Sequence, residues 1–218
     1  MTLAELTDLL FHEISYNLPG EKAHDLMAPY KRTKASTIVN SDKKPKLSAV
    51  LMLIYPKENI PHFTLIQRTE YKGTHGGQIS FPGGKQESDE SLKETALRET
   101  FEEIGVNAEH VQVLGEITQV YIPPSNFLVS PFIGFLDYEP SFTPETKEVD
   151  EIIEVNILDL IDDEKIKQKK IKAGKYTETP LLIDVPYFEL NYNTVWGATA
   201  TILSEVRQML INGSQQKQ

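Results

Sequence analysis

Glu99, Glu102 and Glu103 recur at i, i+3 and i+4 within the stretch Gly84–Val106, GKQESDESLKETALRETFEEIGV. On an α-helix that spacing puts all three side chains on one side. Like charges so crowded repel one another, so a positive partner is expected among them. Carboxylate oxygens are the hard ligands that Mg²⁺, Mn²⁺ or Ca²⁺ take. Leu97, Thr100, Phe101 and Ile104 fall roughly opposite and are expected to bury, and Gly105 is a natural helix stop. Taken singly, each glutamate reads as solvated helix surface, and Glu94 with Arg98 as a surface pair. The combination with glycines and an arginine points to chemistry instead.

From Gly84, five residues lead to Glu90 and seven more to Arg98-Glu99-Thr100-Phe101-Glu102-Glu103-Ile104-Gly105-Val106. This pattern resembles the Nudix box, with Thr100 where an aliphatic residue is usual. The resemblance implies a metal-dependent diphosphohydrolase using Mg²⁺ or Mn²⁺. Its ligands would be Glu99, Glu102 and Glu103, joined by the backbone at Gly84. Arg98 would pair with Glu90 and position loop and helix. A general base is also implied, either a box glutamate or one from a later loop, where Glu148 and Glu151 stand; the sequence does not choose between them.

Upstream, Thr64-Leu65-Ile66-Gln67-Arg68-Thr69, Gly77 and Phe81-Pro82-Gly83-Gly84 resemble the motif of Nudix enzymes that hydrolyse coenzyme A. Pro131-Phe132-Ile133-Gly134 and Val195-Trp196-Gly197-Ala198-Thr199 are similar to that subfamily as well. Gly73 stands where the motif has a second Arg, so Lys72 would have to take a phosphate there, as a point charge rather than a fork. The substrate-binding set implied is Arg68, Lys72, His75, Gly77, Phe81 and Gly83. A lone loop histidine such as His75 is most often solvated, yet beside a glycine-rich loop it could contact phosphate or carry a proton. The implied reaction cuts coenzyme A or its derivatives to 3′,5′-ADP and (acyl-)4′-phosphopantetheine. ADP-ribose, nucleotide sugars or nucleoside triphosphates are alternative substrates, and a non-catalytic, nucleotide-sensing Nudix-like module is the alternative of another class.

Such a helix needs a core to hold it. The 218 residues, 39% apolar and 25% charged, suit one large domain. No apolar run approaches the roughly 20 residues of a membrane span. The start, MTLAELTDLLFHEI, lacks a basic n-region, and there are no cysteines, so a cytoplasmic home is expected, without disulfides or thiolate chemistry. A net charge of −10 argues against a nucleic-acid partner. An anionic small-molecule substrate would also be repelled overall, so cations and a local basic patch must draw it in.

Hydrophobic periodicity predicts a helix over 2–16, capped by Thr2 and Glu5, and a helical turn within 21–29. A basic loop is expected over 31–46, then strands over 48–55 and 62–68 joined by a turn. After the box, strands are expected over 111–121, 128–136 and 148–156, then a short helix over 157–162. Residues 163–178 read as exposed charge and 180–188 as a late strand or hairpin. An amphipathic helix over 194–211 should stop at Asn212-Gly213. The expected domains are an N-terminal helical extension, 1–45, packed on a Nudix hydrolase domain, 46–212, with a disordered tail, 213–218. The class is α/β (α+β); the resemblance specifies the Nudix fold, an α/β/α sandwich with a mixed β-sheet. It also allows a homodimer, for which the N-terminal helix and the Trp196 segment offer surface.

Overall fold

The structure, a computed structural model, describes residues 1–28, 33–69, 77–173 and 181–215. Helix α1 (Leu3–Tyr16) begins with the predicted capping box: Thr2 Oγ1 accepts from the Glu5 N–H, and Glu5 returns a carboxylate to the Thr2 N–H. Two short helices follow, α2 (Glu21–His24) and α3 (Ala35–Val39). The second lies where a loop was expected. Its Ser36 is held by Glu21, which accepts from both the Ser36 N–H and hydroxyl, a long-range anchor that local pattern does not reveal.

Strands β1 (Lys46–Lys57) and β2 (Ile60–Arg68) form the expected hairpin, turning at Glu58 and Asn59. Short strands β3 (Ile79–Ser80) and β4 (Gly83–Lys85) pair with β2 and β1 respectively. Helix α4 (Leu92–Ile104) carries the glutamates. Then come β5 (Gln112–Glu116), β6 (Val120–Ile122), β7 (Phe127–Phe135) and β8 (Val149–Asn156). The single strand expected over 111–121 is thus two, interrupted at 117–119. β1 runs parallel to β7 and antiparallel to β2, and β8 adds to β2, giving a mixed eight-stranded sheet.

β1 explains the layering. Ala49, Leu51, Leu53 and Tyr55 point to one face, where they pack with Ala96 and Ile104 of α4. Met52 and Ile54 point to the other, with Leu6 and Leu10 of α1. A strand covered on both faces must be apolar throughout, which is why 48–55 reads as a continuous run. Helices on both faces make the α/β/α sandwich.

Residues 163–178 are expected to be exposed charge, and 163–170 are exposed or half-buried, yet the segment is not irregular. Ile166–Ala173 instead form β9, paired with β10 (Leu181–Leu190), which turns into β11 (Asn193–Val195) in a separate three-stranded sheet. Lysines at four of the eight β9 positions hide the strand signal.

The last helix, α5 (Gly197–Gln215), packs against α1 and α2. It runs through the expected stop, so the tail does not begin at 213; residues 216–218 lie outside the described set. A Cβ on Gly213 would lie 2.4 Å from Leu9 Cγ, so this glycine admits α1 rather than ending α5. Glu205, fully buried on α5, accepts from the Gly20 N–H and the Thr118 hydroxyl and contacts His24 Nε2 at 3.0 Å. None of the described helices is long and apolar enough to cross a membrane.

Candidate active site

Helix α4 enters through a second capping box. Ser91 Oγ accepts from the Glu94 N–H, while Glu94 accepts from the Ser91 N–H. At the other end Gly105 takes φ +76°. Thr100 is buried, its hydroxyl bonded back to the Ala96 carbonyl, so the hydroxyl in an aliphatic position is satisfied within the helix. Phe101 departs from expectation: it is 55% exposed, because the core side of α4 is filled by Ala96, Thr100 and Ile104.

The crowded carboxylates find two positive partners. Arg98 takes Glu90 with two nitrogens, Nε to Oε2 at 3.0 Å and Nη2 to Oε1 at 2.9 Å. Its Nη1 lies between Glu99 (3.0 Å) and Glu102 (2.8 Å). Glu90 also accepts from the Glu87 N–H and the Thr95 hydroxyl. Bonded by Arg98 and these donors, Glu90 is held down to about 2, so it stays ionised and ties the loop to the helix. Thr95 and the Glu87 backbone were not anticipated. The sequence signal for Thr95 is its place in the first turn of α4, within reach of the preceding loop.

Glu103 is 1% exposed. Its Oε1 accepts from Arg68 Nη1 at 2.5 Å and its Oε2 from the Gly83 N–H at 2.8 Å. Burial pushes this carboxyl up to about 7, against the opposing pull of Arg68 and Gly83. Burial likewise raises Glu99, with Arg98 opposing. Glu102 remains half exposed.

The glycines serve close approach. Gly84 lies so near Glu99 that a Cβ there would sit 2.3 Å from its Oε1. Gly83 has φ +154° and presses on β1, where a Cβ would meet the Ala49 carbonyl at 2.3 Å. Pairing of β4 with residues 48–50 of β1 holds both glycines beneath α4.

Arg68 and Glu148 come together: Nη2 stands 3.7 Å from Glu148 Oε2, and the Thr69 N–H donates to the Glu148 carbonyl. Glu151 is not drawn in; it sits on β8 opposite Gln67, exposed to solvent. Phe81 is 2% exposed within the core, so its side chain supports the glycines and does not face a ligand. Gly83 donates to Glu103, so its contribution runs through that carboxylate. Gly77 takes φ +70° and donates to the Arg68 carbonyl at 3.1 Å, closing the loop base. Lys72 and His75 lie outside the described residues, as does Gly73.

Among the described residues no three carboxylate or imidazole side chains converge as a ready metal cage; the glutamates are held by guanidinium groups instead. The donor set nevertheless fits a hard divalent cation. It consists of carboxylate oxygens, and the cradle at Gly84 brings backbone against the Glu99 carboxylate.

Residues 45–178 match the NUDIX domain family model. The human mitochondrial coenzyme A diphosphatase NUDT8 is 30% identical over 85% of this chain and 78% of its own length. Nudix hydrolase 3 of Caenorhabditis elegans is 29% identical over 79% of this chain and 76% of its own. Among solved structures, a MutT/nudix family protein from Enterococcus faecalis aligns with TM-score 0.50 and 16% identity, covering 88% of this chain and 73% of that one. Its likeness concerns the fold alone. With its glutamate helix laid over a mixed sheet and a family match spanning more than half its length, this chain belongs to the Nudix hydrolase family.

Proposed function

We propose that this Nudix hydrolase is a metal-dependent diphosphatase whose preferred substrate is coenzyme A or a derivative, cut to 3′,5′-ADP and (acyl-)4′-phosphopantetheine. The observation that carries the reading is that Arg68, from the motif resembling coenzyme A hydrolases, is bonded directly to the box residue Glu103. The name of the human relative supports the same substrate.

Glu99, Glu102 and Glu103, with the Gly84 backbone, would hold Mg²⁺ or Mn²⁺. A bound divalent cation supplies charge neutralisation at the diphosphate and eases ionisation of water. The chain's own groups do the rest. Arg98 keeps Glu99 and Glu102 aligned while anchored on Glu90. Glu148 is the general base: exposed, beside Arg68, and close enough for its charge to act on Glu99. It takes the proton as water oxygen bonds to one phosphorus, and the bridging P–O bond breaks with its electrons going to the leaving phosphate. Arg68 stands beside this path as the cation for a substrate phosphate.

Coenzyme A, ADP-ribose and a nucleoside triphosphate assayed in parallel with Mg²⁺ or Mn²⁺ test the substrate. Selective release of 3′,5′-ADP from coenzyme A is expected; equal or faster turnover of ADP-ribose would overturn the assignment and leave the diphosphatase. No turnover of any would favour a nucleotide-sensing module.

A pH dependence follows from Glu103. To ligate a cation it must lose the proton that burial retains up to about 7, so apparent Mn²⁺ affinity should climb as pH rises through about 7 and then level off. The metal-free protein moves the other way. Its folded state holds this proton between 4.5 and about 7 while the unfolded chain does not. The stabilisation is therefore full below 4.5 and lost as pH rises through about 7. Calorimetric titrations with Mn²⁺ at several pH values check the first trend, and melting curves in EDTA the second; an affinity flat across neutrality would contradict it.

A further inference from the structure

Both oxygens of Glu103 are occupied, one by Arg68 and one by the Gly83 N–H. The two donors differ in freedom. Gly83 belongs to β4, opposite Val50 of β1, and its N–H cannot leave without unpairing the sheet. Arg68 reaches Glu103 through a long side chain that is 21% exposed, with Nη2 already 3.7 Å from the exposed Glu148. Glu103 itself is 1% exposed, so its charge must always face a cation or be neutralised. A guanidinium and a divalent ion therefore compete for the same oxygen.

We propose that Arg68 is an exchange residue. It holds Glu103 when no cation is bound and yields that carboxylate to the cation. Its guanidinium, thus released, then turns to Glu148 and to the phosphate of the substrate. Arg68 is a positioning residue for the cation and a substrate contact in turn, and cation loading itself arms the substrate clamp. The exchange rests on the metal-dependent reading above but is independent of which nucleotide is cut. It also gives a reason for an arginine at this strand end: a shorter or neutral side chain could not serve both anions.

The test uses Mn²⁺ alone, titrated by calorimetry into the intact protein at pH 8.5. Arg68→Gln is expected to bind Mn²⁺ about tenfold more tightly than the unaltered protein, because a charge-assisted bond no longer competes. Arg68→Lys should fall between them, and serves alone if the Gln variant does not fold. Equal or weaker Mn²⁺ binding by the variants would overturn the exchange while leaving the cation site standing. Absence of Mn²⁺ binding by all three proteins would overturn the exchange and the metal-dependent reading together. A second readout needs no variant fold beyond assignment: the Arg68 Nε–H resonance should move on adding Mg²⁺, and an unmoved resonance in Mg²⁺-saturated protein would sink the proposal.

Discussion

Glu103→Gln leaves a folded protein whose hydrolysis is slower by on the order of 10²–10³-fold, the size of loss typical when one preorganised electrostatic group is removed. Gln preserves the shape, and its amide oxygen can still accept from the Gly83 N–H. What disappears is the charge, together with the acceptor for Arg68 Nη1, which would face the amide NH₂. Since burial already disfavours that charge, the stability cost should be small, about 1 kcal/mol. Turnover measured beside the melting temperature separates the two quantities. A loss of activity under tenfold would remove Glu103 from the cation set, and a large fall in melting temperature would make its role structural.

Gly83→Ala should do the reverse, acting first on stability. Its added Cβ would meet the Ala49 carbonyl at 2.3 Å and the Val50 Cα at 2.6 Å. Both are backbone atoms of β1, the strand shared by both cores, so neither can swing away. The φ of +154° adds strain for any side chain. A destabilisation of about 3 kcal/mol or more is expected, in the range of the severe single substitutions, and it should read as a shift in the denaturant midpoint. Gly84→Ala makes the contrast. There the Cβ meets the carboxylate of Glu99, the movable end of a side chain, so stability should suffer less and activity more. Equal stability losses at the two positions would contradict this division.

Much of the site is legible from spacing because it lies on one helix and the turn before it. The i, i+3, i+4 glutamates, the Glu90 to Arg98 interval and the glycine stop obey helix geometry, which local sequence controls. The pairing of Arg68 with Glu103 is not local; 35 residues separate them, and it takes the sheet, with β1 packed on α4 and β2 paired beside β1, to bring them together. The same holds for Glu148, which the antiparallel pairing of β2 with β8 sets beside Arg68 while Glu151 faces solvent. Misreadings in the fold share this origin. Gly213 reads as a helix stop, yet Leu9 of α1 needs its missing side chain. Lys167, Lys169 and Lys170 erase the alternation that would mark β9. Phe101 looks like a core residue by type, but the core beneath it is already filled.

Glu205 ties residues far apart along the chain: Gly20 across 185 positions, His24 across 181 and Thr118 across 87. During synthesis the segment 20–24 therefore emerges long before the carboxylate that fixes it exists. Helices α1 and α2 must wait, without their packing partner, until α5 clears the ribosome. Loop closure over such distances slows folding. Leu6, Leu9 and Leu10, which the folded core buries, stay uncovered in the interval. The carboxylate cluster at α4, contained within residues 90–103, is thus mounted on a body that becomes rigid only once α5 has been made.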